Sequence, residues 1–224
     1  FAGLGVVRFL FQEAARELRY EALEDVAHQI KASCIALGHN ADDQAETVLM
    51  RLFRGSGRKG LTGIPPLRGK IIRPLIEVER RDIEEYVLRE FEIQNSKCKM
   101  QNAKCKIPFV VDSSNLKDKY FRNWIRSSVM SEIKKKNPSV VEDICRTADI
   151  FKEEEEYLEV IVTKTLMRLI SRKSDSAIEL FLMPLVTTEI PILRRVLRRA
   201  IGATTGLRGI KFVHIEDIIK LIKA

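Results

Sequence analysis

CIALGHNADDQAETVLMRLFRGSG, residues 34–57, packs a change of backbone and a cluster of chemistry into one stretch. A short apolar run, Ile35-Ala36-Leu37, stops at Gly38-His39-Asn40. Asp42, Asp43 and Glu46 follow at once, then an apolar helical spacing, then Arg54-Gly55-Ser56-Gly57. The run predicts a strand over 33–37, apolar enough to be buried on both faces of a parallel sheet. A helix is predicted from about Asp42 to Phe53, with Asn40 as N-cap, Asp43 three residues on, and Gly55 as its stop. In open parallel sheets, ligands bind at the carboxyl ends of strands, beside the N-termini of the following helices. Such an N-terminus offers unpaired N–H groups and partial positive charge, an anion site. His39, Asp43 and Thr47 are spaced by four, so they share a helix face with Glu46 close by. Carboxylates beside an anion site make sense if a divalent cation such as Mg²⁺ bridges them to phosphate, with Asp43 as the candidate ligand. The plainer alternatives are first-turn acids that complement the helix dipole and a hydrogen-bonded loop histidine.

Outward from this stretch the order is helix, strand, helix. Residues 8–30 place Phe11, Ala15, Leu18, Ala22 and Val26 at steps of three and four, an amphipathic helix. GRKGLTGIPPLRGKIIRPLIEVER is a Gly-, Pro- and Arg-rich loop with a brief strand at Ile71-Ile72, and RRDIEEYVLREF returns to helix. Arg73 precedes Pro74, which favours an extended residue before it. An arginine at a strand end can clamp an anion through two hydrogen bonds; its alternative is a surface ion pair. Residues 94–108 read as a polar loop carrying a repeated Lys-Cys-Lys, and residues 109–115 as an apolar run ending in polar residues. From Trp124 onward the chain reads as helix, with a long one over about 139–171, a linker at 171–176, and later helices at 191–201 and 215–224. The expected fold is α/β, a partial doubly wound parallel-sheet, Rossmann-like domain over 1–128, followed by an all-α domain over 129–224.

The 224 residues include 45% hydrophobic and 31% charged side chains, a globular composition, and no apolar run reaches the roughly 20 residues that span a bilayer. No membrane association is expected. Charged side chains recur from Arg8 onward, and no signal-peptide pattern is expected in residues 1–20. The four cysteines form no C-x-x-C pair, which fits a reduced, cytoplasmic setting. Cys98 and Cys105 read as cysteines of a variable loop. A net charge of +8 favours a polyanionic partner, nucleic acid above all. Arg122 and Arg126 sit among Tyr120, Phe121 and Trp124. Cations beside aromatics suit an unpaired RNA loop, whose bases stack while its phosphates pair with arginine. For Trp124 the favoured reading is instead a core position between domains. Arg194, Arg195, Arg198 and Arg199 form a stripe at helical spacing, a solvated face or an RNA contact. Glu153–Glu156 read as a solvated face.

ALGHNADDQAETVLMRLFRGSGRKGLTGIPP, IIRPLIEVERRDIEEYV, VDSSNLKDKYFRNWIRSSVMSEI and NPSV together closely resemble the tRNA(Ile)-lysidine synthetases, within the PP-loop or N-type ATP pyrophosphatase family. EAARELRYEAL resembles the helix that precedes this motif there. The likeness is strong over about 12–140, and IPILRRVLRRAI and HIEDIIKLI resemble that family's central helical domain. The family's Ser-Gly-Gly-x-Asp-Ser loop is absent from these residues, and the chain begins without Met. An N-terminally truncated fragment is therefore expected, inactive alone, and 94–108 has no counterpart in the family.

The resemblance implies an activity. ATP adenylates the C2 oxygen of the wobble cytidine in tRNA(Ile) with a CAU anticodon, and L-lysine then displaces AMP to give lysidine. ATP and Mg²⁺ are the implied cofactors, with a homodimer as one assembly to test. His39, Asp43 and Glu46 would face the ATP or the lysine as catalytic residues. Asn40, Asp42, Arg54, Gly55, Ser56, Gly57 and Arg73 would bind phosphate or substrate. Arg122, Arg126, Arg194, Arg195, Arg198 and Arg199 would contact tRNA. The rival readings are a tRNA 2-thiolation enzyme of the same superfamily, which usually carries cysteine pairs, and a non-catalytic RNA-binding module.

Overall fold

The fold is built around a strand two residues long. In the computed structural model, which describes residues 2–97, 121–174 and 177–223, β1 (Ile35–Ala36) pairs in parallel with β3 (Ile71–Ile72). β2 (Leu67–Arg68) pairs antiparallel with β3, giving the order β1-β3-β2. The N–H of Leu37 donates to the Ile72 carbonyl at 2.9 Å, so the ladder runs to the point where Gly38 and His39 leave it. β1 is not buried on both faces as its composition predicts. Ile35 is half-buried and Ala36 exposed, because β1 is an edge of this sheet.

Helix α1 (Ala2–Gln29) precedes β1, and α2 (Ala41–Phe53) follows it. α2 begins with a reciprocal cap. The Asn40 side chain accepts from the Asp43 N–H at 3.0 Å, and the Asp43 carboxylate accepts from the Asn40 N–H at 3.2 Å. It ends as the sequence predicts, at Gly55, whose φ of +71° suits a residue without Cβ. The Gly55 N–H reaches the Leu52 carbonyl and the Ser56 N–H the Arg51 carbonyl, both at 2.9 Å, a Schellman closure. After α3 (Arg58–Leu61) comes the β2–β3 hairpin, then α4 (Arg80–Lys97), which takes in the first residues of the expected 94–108 loop. The rest of that loop, with Cys98 and Cys105, lies outside the described residues, as do 109–115 and Tyr120.

The chain divides into two units, Phe1–Asp149 and Ile150–Ala224. In the first, α5 (Phe121–Trp124) continues through a π-helical segment, Ile125–Met130, into α6 (Ser131–Lys136). Ala41, Ala45 and Leu49 of α2 pack with Ile125, Met130, Val140 and Val141, so α2 and the 121–136 helix are held face to face. α7 (Val140–Leu169) has residues in both units.

The second unit is mainly helical: α8 (Leu182–Thr187), α9 (Ile190–Thr204) and α10 (Phe212–Lys223). Val162, Leu166, Leu193, Val196, Leu197, Ile215 and Ile219 form its core. Residues 171–173 of the expected 171–176 linker fall instead in β4 (Ile170–Lys173), which pairs with β5 (Ile178–Leu180); 175 and 176 lie outside the described residues. Isolated, the polar Ser171-Arg172-Lys173 carries no strand alternation, and its pairing with 178–180 makes it a strand. The described architecture is α/β followed by helices, with this hairpin added.

Candidate active site

α2 and the 121–136 helix bring acids and arginines together. Glu46 is only 2% exposed. Arg122 donates from Nε to Glu46 Oε2 at 2.9 Å, and Arg126 donates from Nε to Oε1 at 2.5 Å and from Nη2 to Oε2 at 2.9 Å. Both arginines also reach Asp43 Oδ1, at 3.0 and 3.1 Å. Arg80 stands 3.8 Å from the same oxygen. Hydrogen bonding to Glu46 raises the Arg126 pKa above its ordinary value and outweighs the opposing effect of burial. The π-helical segment starts between the two arginines, and Ile125, wholly buried, anchors it.

Asp42 turns the other way. Its carboxylate accepts from Lys134 Nζ and from the Arg80 N–H, both at 2.7 Å, and so ties α2 to α6 and to the start of α4. Burial pushes the carboxyl up, but the Lys134 and Arg80 hydrogen bonds outweigh it and hold the group below its ordinary value.

The anion site expected at the α2 N-terminus is largely filled by the chain itself. The Ala41 N–H donates to the Val78 carbonyl at 2.9 Å, the Gln44 N–H to the Asn40 carbonyl at 3.0 Å, and the Asp43 N–H is capped. Positive charge at this place comes instead from Arg122 and Arg126. With Leu37, Gly38, His39, Asp43 and Asn123 they line a cavity of about 440 Å³.

His39 Nδ1 accepts from Arg73 Nε at 3.3 Å, which leaves the proton of a neutral imidazole on Nε2. Arg73 is neither a surface ion pair nor exposed. It is buried, and its Nη1 donates to the Pro65 carbonyl at 2.6 Å. Arg54 is exposed, with its guanidinium 5.9 Å from the Phe121 ring centre. Gly55 and Ser56 close α2, and Gly57 is the N-cap of α3.

The stripe on α9 is mostly engaged within the second unit. Arg195 makes a two-pronged pair with Glu155, at 2.5 and 2.8 Å. Arg199 pairs with Glu159 and donates to Thr163. Arg194 pairs with Glu216 at 2.6 Å and lies over Phe212. Arg198 alone of the four is exposed. Glu155 is buried against Arg195, so the acidic run is not simply a solvated face. Trp124 is not a core residue either. It is 41% exposed and stacks on Phe121.

Two clamps escape sequence reading. Arg51 donates to the carbonyls of Gly60 at 2.8 Å and Gly63 at 2.7 Å. Gln44, buried, accepts from the Ile64 N–H at 2.5 Å. Both fix the loop after α3. Lys134 is a third omission. Nothing in one sequence marks which of 39 basic residues meets which acid.

The donor set does not fit a metal ion at Asp43. Oδ1 already faces three arginines and Oδ2 accepts the Asn40 N–H. Among the described residues no group of three His, Cys, Asp or Glu side chains converges. None of the described helices is long and apolar enough to cross a membrane.

Comparison with known proteins adds an independent line. The profile of the PP-loop domain family matches residues 7–133. The chain is 38% identical over 215 residues to the tRNA(Ile)-lysidine synthase of Clostridioides difficile (strain 630), covering 94% of this chain and 43% of that protein. It is 35% identical over 213 residues to the tRNA(Ile)-lysidine synthase of Caldanaerobacter subterraneus subsp. tengcongensis, covering 94% and 42%. It is 34% identical over 219 residues to a tRNA(Ile)-lysidine synthase of Bacillus cereus, covering 95% and 43%. The chain thus spans about two fifths of the length of the curated relatives it matches.

Proposed function

The chain belongs to the PP-loop domain family, and from that premise we propose that it is part of an enzyme that uses ATP to join L-lysine to C2 of the wobble cytidine of tRNA(Ile) with a CAU anticodon. In the first step the C2 oxygen attacks the α-phosphorus of ATP and pyrophosphate leaves. In the second an amine of lysine adds at C2, AMP departs with the oxygen, and the amine loses a proton, giving lysidine.

One observation carries the reading. Arg122, Arg126, His39 and Asp43 converge on a single cavity at the carboxyl end of β1. Pre-positioned guanidiniums stabilise charge that develops on a transferring phosphoryl group, and they act best where they need not reorganise. Glu46 supplies that positioning: buried, it holds both guanidiniums in one orientation. His39, oriented through Nδ1 by Arg73, lines the cavity and would position a substrate oxygen there. Asp43, at the cavity wall, holds the same two guanidiniums. Arg73 positions His39 rather than touching substrate. The likeness to proteins named tRNA(Ile)-lysidine synthase along nearly the whole chain supports the same assignment.

Any Mg²⁺ that accompanies ATP finds no open ligand at Asp43. A cytoplasmic location and a homodimer belong to the same proposal. The 2-thiolation reading gains nothing from the two described cysteines. Cys34 is exposed, and burial pushes the Cys145 thiol up to about 11, far from a reactive thiolate.

The test is single-turnover incorporation of labelled lysine by the full-length gene product, with ATP and a tRNA(Ile) transcript bearing the CAU anticodon. The transcript should be labelled, and one with uridine at the wobble position should not. Equal labelling of both, or of neither, would remove the assignment.

A further inference from the structure

Phe53, Phe121 and Trp124 face solvent as a group on the first unit. Phe53, at the end of α2, is 54% exposed, and Phe121 and Trp124, in α5, are 39% and 41% exposed. Phe121 and Trp124 lie nearly parallel, centroids 5.6 Å apart and planes inclined by 17°. Phe53 meets them at an angle, 6.2 Å from Phe121 and 6.5 Å from Trp124. The group is therefore a short stack with a side wall. Arg54 places its guanidinium 5.9 Å from the Phe121 ring centre. Among the described residues no acidic side chain pairs with Arg54, whereas acids hold Arg122 and Arg126. Arg122 and Asn123, between the two stacked rings in sequence, line the cavity.

We infer that Phe53, Phe121, Trp124 and Arg54 form a stacking platform for an unpaired nucleobase of single-stranded RNA, next to the cavity that receives the reacting nucleotide. The inference rests on the RNA-modifying reading above and adds to it a surface that grips a base without reading its identity. Every base has a π-face, so a flipped-out base extends an existing parallel stack. Its phosphate meets the Arg54 cation at the rim, and the +8 charge of the chain complements a polyanion. An apolar protein segment would bury the rings equally well but would leave Arg54 without a counter-charge.

Trp124 is the only tryptophan of the chain, so its emission reports on this surface alone. The chain would be titrated at low salt with a short single-stranded RNA and with an abasic oligomer of equal length and charge. The RNA should quench Trp124 saturably, while the abasic oligomer should bind more weakly and leave the emission unchanged. Phe121→Leu and Phe53→Leu, each checked for native circular dichroism, should weaken RNA binding by about tenfold and leave the abasic affinity alone. If one variant fails to fold, the other carries the comparison, and the quenching needs no variant. No quenching by RNA, equal quenching by both oligomers, or unchanged RNA affinity in the folded variants would overturn the platform. Base-dependent quenching without lysine incorporation by the full-length protein would remove the enzymatic reading and leave the platform standing. Incorporation without base-dependent quenching would do the reverse.

Discussion

Arg126 clasps both oxygens of Glu46, Nε to Oε1 at 2.5 Å and Nη2 to Oε2 at 2.9 Å, although 80 residues separate the two in sequence. Arg122 shares the same carboxylate. The pair therefore sets the seating of α5 and the π-helical segment on α2, and with it the walls of the cavity. Removing one partner strands charge in a buried place. Glu46→Gln should lower unfolding free energy by roughly 3 kcal/mol, the low end for a broken buried pair because the arginines keep some solvent contact. In urea titrations the cycle of Glu46→Gln with Arg126→Met should show a coupling above about 1 kcal/mol. Additive losses would mean that the clasp does not form in solution.

Asp42 gives the fold an acid-sensitive joint. Its folded pKa lies below the ordinary value of 3.8 because Lys134 and the Arg80 N–H outweigh burial. The unfolded chain therefore binds the proton more readily. The stability Asp42 contributes is complete above its unfolded value and is lost as pH falls through the lower folded one. Asp42→Asn should be less stable than the unsubstituted chain at neutral pH, with the gap closing as pH falls below the ordinary carboxylate value. A gap that is constant across that range would show that Asp42 titrates alike in both states.

The legible part of this protein is the local part. Asn40, Asp43 and Gly55 announced the ends of α2, because caps and left-handed stops use residues within a few positions of each other. The cavity lined by Leu37, Gly38, His39 and Asp43 lies at that strand-to-helix turn, where the sequence places its candidate site. The non-local part was hidden. Arg122 and Arg126 read as RNA contacts because their acids lie 76 to 83 residues away. Arg195 reads as a solvated or RNA-contacting charge and Glu155 as a solvated one for the same reason. Trp124 read as core because a large ring is usually buried, and only its neighbours Phe53 and Phe121 show why it is not.

Gly63 is held where no other residue fits. Its φ is +68°, and a Cβ there would collide with the carboxamide of Gln44, whose Oε1 receives the Ile64 N–H. Gly63→Ala should cost about 2 kcal/mol or more, from backbone strain and a displaced buried hydrogen bond. Gln44→Ala,Gly63→Ala, which removes the collision, should recover part of the loss. Thermal or urea unfolding reads both. No recovery would assign the whole effect to φ.

Neighbouring arginines on α9 should separate by role. Arg195 is spent on Glu155, while Arg198 is exposed. Arg195→Met should therefore lose stability, by roughly 3 kcal/mol at most. Arg198→Gln should leave unfolding unchanged, weaken tRNA binding modestly, and lower the slope of log affinity against log salt by about 0.9 if it meets one phosphate. A filter-binding series between low and moderate salt measures the slope. An unchanged slope would remove Arg198 from the RNA surface.

Asp43 is where capping and catalysis compete as explanations. One oxygen caps the Asn40 N–H and the other faces Arg122, Arg126 and, farther off, Arg80. If the residue is only a cap, Asp43→Asn should be nearly silent, since the amide oxygen can still accept the Asn40 N–H. If Asp43 fixes Arg122 and Arg126 for the reacting phosphoryl group, the amide should fail, because it keeps the shape and loses the charge that holds them. We expect Asp43→Asn in the full-length protein to abolish measurable lysine incorporation while tRNA affinity changes less than about threefold, a loss confined to turnover. Asp43→Ala should lose the same activity and, in addition, about 1 kcal/mol of stability, the usual cost of a missing cap. His39→Ala should lose less, since water can replace a group that only positions a substrate oxygen. Single-turnover incorporation of labelled lysine, run beside filter binding and urea unfolding, separates the three effects. Near-normal incorporation by Asp43→Asn would reduce the acid to a helix cap and leave the positioning of Arg122 and Arg126 to Glu46 alone.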